Sequence, residues 1–201
     1  MAKRGQTANP SAAGTSRPLI AFILLSLTLL SGLAVGDSFA TVDAARVEAA
    51  FLRNFAHYVI WPRQAFADDK APWQVCIIGD DPFDDILDAT FRGRTEQGRS
   101  FVVRRVSRGA QLKSCQLAYV AFRTAETRRA VLSELANHPV LTVGNAPQFL
   151  QEGGIIRFSV SDHVEFAVNL DRANAVALKI PTKVLEVAQL VVENGVSRRR
   201  R

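Results

Sequence analysis

The sequence predicts an α/β fold: a mostly parallel sheet of about six strands, helices on both faces, and an antiparallel hairpin late in the chain. Three observations carry this. Residues 73–78, Trp-Gln-Val-Cys-Ile-Ile, form a charge-free run, the pattern of a strand buried on both faces. Strand-like and helix-like segments then alternate, which implies parallel strands joined by crossovers. Residues 155–160 and 164–170 alternate in character across the short linker Ser161-Asp162-His163, a hairpin spacing.

The elements follow in order. Residues 44–60 read as a helix capped by Asp43, with Val47, Phe51, Phe55, Tyr58 and Val59 at three- and four-residue steps on one apolar face. Trp61-Pro62 ends it, because a residue before proline is pushed out of the α region. The plain reading of the aromatic stripe is core packing; the sharper one is a face shared with a partner. After the strand at 73–78, Gly79 turns the chain, and Asp80 or Asp81 caps a helix over 82–91 that begins at Pro82. Strands are expected at 100–106, 115–122 and 140–143. Thr124 caps a helix over 124–137, and a short helix covers 146–151 before Gly153-Gly154. Asp171 starts a helix over 172–178. Thr182 caps a last helix over 183–193, with Val184, Val187, Ala188 and Val191 as its stripe and Gly195 as its stop.

The N-terminus reads as a cleaved signal peptide. Lys3, Arg4 and Arg17 are basic, residues 19–35 are an uncharged apolar run, and Ser38-Phe39-Ala40 offers a cleavage site after Ala40. The expected organisation is a leader at 1–40, one domain at 41–197 and a disordered basic tail at 198–201. The formal charge of +6 falls to +4 once three basic residues and Asp37 leave with the leader, and Arg198 to Arg201 supply all of that remainder. The body is neutral, which argues against nucleic-acid binding.

No catalytic constellation emerges. His57, His138 and His163 are far apart, and the Asp162-His163-x-Glu165 segment has serines only within its own strand and turn. Asp80, Asp81, Asp84, Asp85 and Asp88 are dense, but they have no matched metal-ligand spacing; acids near a helix start also offset its dipole. Gly79 alone is not a dinucleotide fingerprint. No cofactor and no metal is expected, and the chain does not read as an enzyme. Arg104 and Arg105, with Arg108, cluster near one strand end and could hold an anion. Two cysteines, Cys76 and Cys115, would meet an oxidising compartment after export. A bridge, two buried free thiols and a reactive cysteine are the alternatives.

Several ordered pieces carry a resemblance: Val47-x3-Phe51-Leu52-x-Asn54-Phe55 followed by Trp61-Pro62, Cys76-Ile77-Ile78-Gly79-Asp80-Asp81-Pro82-Phe83, Cys115-Gln116-Leu117-Ala118-Tyr119-Val120, Val140-Leu141-Thr142-Val143 through Phe149 to Gly153-Gly154, and Phe166-x-Val168-Asn169-Leu170. In this order the chain resembles the YfiR-like family of exported bacterial proteins. The resemblance implies a small periplasmic α/β domain, often a homodimer. It would inhibit a membrane-bound diguanylate cyclase by binding the cyclase's periplasmic domain, lowering cyclic di-GMP and so restraining biofilm formation. It also implies a Cys76–Cys115 disulfide. A second cysteine pair of the best-known member has no counterpart at residues 145–158. Phe55, Tyr58, Trp61, Arg104 and Arg105 are the candidate partner- or ligand-binding residues. The alternative function is a periplasmic small-ligand-binding module, with a pocket at the strand ends beside Asp80 and Asp81.

Overall fold

The charge-free run at 73–78 becomes strand β1 (Trp73–Gly79), which pairs in parallel with β3 (Arg99–Val106) on one side and β4 (Leu117–Ala121) on the other. The computed structural model describes residues 36–199, with side chains from residue 44 onward. The sheet continues through β5 (Leu141–Gly144), β6 (Ile156–Val160) and β7 (Val164–Asn169). β4, β5 and β6 pair in parallel, and β6 and β7 form the expected antiparallel hairpin. All six expected strands are therefore present.

The sheet has nine strands, not about six, in the order β2-β3-β1-β4-β5-β6-β7-β8-β9. The additional ones are β2 (Thr95–Glu96), β8 (Leu190–Glu193) and β9 (Val196–Arg199). β8 and β9 overturn the expected last helix, which stops early as α5 (Thr182–Glu186). Asn194 and Gly195 both have positive φ, 53° and 72°, the conformation of a two-residue hairpin turn. Gly195 thus turns a hairpin instead of stopping a helix. Asp171 fixes that turn by accepting hydrogen bonds from the N–H groups of Asn194 and Gly195 at 2.7 and 2.8 Å. Arg198 and Arg199 are strand residues of β9; Arg200 and Arg201 lie outside the described residues, as does nearly all of the expected leader.

Helix boundaries also move. α1 (Gly36–Tyr58) starts upstream of Asp43, which is therefore inside the helix and not its cap; nothing between Asp37 and Val42 breaks a helix. α2 (Asp85–Phe91) starts three residues after Pro82. Asp81 accepts the Phe83 N–H at 2.8 Å, which closes a local turn in place of a cap. α3 (Ala125–Glu134) begins as expected, with Thr124 accepting from the Thr127 N–H. The stretch expected as a helix at 146–151 is a series of turns over 147–153. α4 (Leu170–Ala175) is capped by Asn169, whose side chain accepts from the Arg172 N–H at 2.9 Å. For α5 the cap position is Pro181, and Thr182 is the first helical residue.

Alternation along the strands divides the apolar side chains between two cores. On one face Trp73, Val75, Ile77, Leu117, Tyr119, Leu141, Phe158 and Phe166 pack with residues of α1, α2, α4 and α5. On the other, Cys76, Ile78, Ala118 and Val120 pack with Leu112, Phe149 and the apolar side of α3. Among the described residues, no helix is long and apolar enough to cross a membrane.

Candidate functional site

The apolar stripe of α1 is mostly core. Phe55 is only 2% exposed and touches Phe158 and Phe166, with ring centroids 6.1 and 5.3 Å away. Trp61 is buried edge-on against Trp73, and its indole N–H donates to the Gln116 carbonyl at 3.2 Å. Gln116 in turn accepts from the Gln74 N–H at 2.7 Å through its side-chain oxygen and donates to the Ala65 carbonyl. This buried amide joins the loop after α1 to β1 and β4. Phe55 and Trp61 can therefore shape a surface from beneath but do not present one.

Tyr58 is half-buried and differs from both. The Lys183 ammonium lies 3.8 Å from its ring centroid, a cation over an aromatic face. Together they border a groove of about 250 Å³ between α1 and α5, with Phe51, Phe55 and Phe166 as its apolar floor and Val187 on its far wall. On the other side of Tyr58 a polar cleft of about 470 Å³ runs towards Arg94 and Glu96. There His57 Nδ1 and a Glu96 carboxylate oxygen are 2.8 Å apart.

Two contacts position α1. At its C-terminal end, Ile60 and Lys179 exchange main-chain hydrogen bonds of 2.9 and 3.0 Å. Nearer its start, the buried Glu48 carboxylate accepts from the Tyr119 hydroxyl of β4 at 2.8 Å. Burial pushes the Glu48 carboxyl above its ordinary pKa, and the bond from Tyr119 offsets this only in part. Burial and the adjacent Glu48 push the Tyr119 hydroxyl up as well, so it stays protonated and donates.

Arg104 and Arg105 are not a joint anion site, because consecutive strand residues point to opposite faces. Arg104 is exposed beside Cys76 in register. Arg105 is occupied: it donates to Asp81 at 2.9 Å, to Asp88 and to the Asp84 carbonyl. The acidic cluster therefore serves largely to hold this arginine. A second engaged arginine, Arg128 of α3, is 5% exposed and forms a two-pronged pair with Glu152 at 2.6 and 2.7 Å. The Glu152 carboxylate raises its pKa further. Among the described residues no group of three or more His, Cys, Asp or Glu side chains is placed to hold a metal ion.

Cys76 and Cys115 are joined by a disulfide, with Cα atoms 6.1 Å apart and a sequence separation of 39. Cys115 precedes β4 and closes the turn at 109–114, its N–H donating to Leu112. The bond ties that turn to β1. At the strand ends β1 and β4 lie close, with the Asp80 N–H donating to Ala121 at 3.1 Å, and an open, shallow cleft of about 740 Å³ lies beside Asp81, bordered by Asp84, Asp85, Asp88, Arg92 and Arg105. Asp80 also pairs with Arg123 at 2.9 Å across the strand ends.

With this geometry in place, comparison with family models matches the family described as YfiR/HmsC-like over residues 45–189. The chain belongs to the YfiR/HmsC-like family. The match runs from α1 to the residue before β8, so it includes the disulfide, both cores and the α1–α5 groove. At the level of the family it supports a periplasmic regulator of diguanylate cyclase signalling. No curated protein matches the chain.

Sequence reasoning missed Glu48, Gln116, Glu152, Lys183 and Val187 as contributors. The first three are polar residues whose burial depends on distant partners. The helical spacing puts Val187 on the inward stripe of a longer helix; the helix ends at Glu186, and Val187 is 67% exposed.

Proposed function

We propose that this chain is a non-enzymatic periplasmic regulator. It binds the periplasmic sensor part of a membrane-bound diguanylate cyclase, holds it inactive, and so lowers cyclic di-GMP. The observation that carries this reading is the family match across 45–189. The site agrees with it in kind: Arg105 and Arg128 are engaged by carboxylates, and beside Tyr58 lies an apolar groove with a cation at the rim, which suits recognition.

Inhibition by binding requires only that the inactive state of the cyclase be bound more tightly than the active one, by about 1–3 kcal/mol for a typical coupling. Export by the leader at 1–40 would bring the chain to the same compartment as that sensor part. The test is deletion of the gene followed by measurement of cellular cyclic di-GMP. A rise that the wild-type gene reverses is the expected result; an unchanged level overturns the reading.

A further inference from the structure

The exposed side of α1 between residues 44 and 58 is both apolar and basic. Arg46, Val47, Ala50, Arg53, Asn54 and His57 are exposed, and the one acid in that stretch, Glu48, is buried. Val47 is 41% exposed and lies one turn before Phe51, so the apolar stripe continues out of the groove along the helix. Val187 faces it from beyond α5 at 67% exposure. Among the described residues Lys183 forms no ion pair; its ammonium rests over Tyr58 alone.

A groove of about 250 Å³ is smaller than the roughly 300–1,000 Å³ of a drug-sized ligand site. It takes one or two large side chains, while the exposed valines extend the contact along α1. An amphipathic helix lying in a groove presents anchors with this spacing. Lys183, the charged side chain among the groove's lining residues, selects a carboxylate beside those anchors. A second copy of this chain docked through the same face would offer Lys183 no carboxylate, since among the described residues none lines the groove, which disfavours it.

We infer that the α1–α5 groove is the docking site for an acidic amphipathic helix of the partner protein. A large apolar side chain of that helix seats over Phe51 and Phe166, and a carboxylate pairs with Lys183. The inference rests on the partner-binding function proposed above and names its surface.

The test has two arms. In the first, the deletion strain is complemented with the wild-type gene, with Lys183→Glu, with Val187→Glu, or with Val160→Glu, which alters an exposed valine on the β6–β7 hairpin. The wild-type and Val160→Glu genes should restore low cyclic di-GMP, and the two groove variants should not. In the second, the purified full chain is titrated by NMR with a synthetic helix bearing Leu and Phe on one face and Glu elsewhere. Its amide shifts should centre on residues 47–58 and 183–187, and Lys183→Glu should weaken binding by more than about tenfold, because it sets like charges against each other. Because both groove positions are exposed, thermal melts should show all variants folded. A deletion with no effect overturns the functional reading and this inference with it. Groove variants that complement fully, a peptide that ignores these residues, or a dimer dissociated by Val187→Glu overturns this inference alone.

Discussion

The two faces of the sheet are held by different means. Under α1 the core is aromatic: Phe55, Trp61, Trp73, Phe83, Phe91, Tyr119, Phe158 and Phe166 are all buried there. The opposite core is smaller, has Phe149 as its single buried ring, and contains the Cys76–Cys115 bond. The first face buries the larger set of apolar side chains. The second covers β1 and β4 with a 109–114 turn, one helix and a run of turns, and relies on a covalent tie and the buried Arg128–Glu152 pair. The aromatic face also carries the exposed groove, so the proposed docking surface lies on the face opposite the disulfide.

That contrast can be broken first at Phe55. Phe55→Ala removes a ring packed between α1 and the β6–β7 hairpin and should cost about 3–5 kcal/mol, seen as a lower denaturant midpoint. A loss under about 1 kcal/mol would mean that the aromatic face is not the dominant core. Next comes the bridge. Replacing Cys76 and Cys115 by Ala, or reducing the bond, should cost about 2–4 kcal/mol for a loop of this length. Hydrogen exchange should then quicken most at residues 109–135, with little change in α1; uniform acceleration would deny the division between the faces.

The smallest effect sharpens the polar contact beneath α1. Glu48 has a raised folded-state pKa, so its contribution to stability is complete below the unfolded value near 4.5 and declines as pH rises through the folded value. Glu48→Gln removes that decline. Its melting temperature should therefore exceed that of the wild type at neutral pH, by about 2–4 °C if the difference is near 1 kcal/mol, and the gap should close as pH falls below about 4.5. A gap that widens on acidification would contradict the assignment.

Much of the fold was legible because its strands are uncharged and bounded by turn residues. Trp73 to Ile78 and the 156–169 hairpin are examples, and the disulfide followed from the family resemblance. The end of the chain was not legible, since two patterns overlap there. Val184, Val187, Ala188 and Val191 recur at helical steps, whereas Leu190-Val191-Val192 followed by Asn194-Gly195 spells half of a hairpin. The hairpin wins because β8 pairs with β7, with Val168 opposite Val191, a tertiary contact to which a helical period is blind. At the site, Tyr58 was found from the α1 stripe, while Lys183 became visible only when α5 was brought beside it. Arg104 and Arg105 looked joint because they are adjacent in sequence, which in a strand guarantees the opposite.

The two contacts that position α1 have a mechanical consequence. A rod pinned at one point can swing, but α1 is pinned at two: the main-chain exchange at Ile60 and the Glu48–Tyr119 bond. The helix between them is about 15 Å long at 1.5 Å per residue. Neither sliding nor tilting is available without releasing one pin. α1 is thus a fixed beam, and an incoming helix meets a surface already in its final shape. On the docking proposed above, release of the partner would then run through competition for that surface.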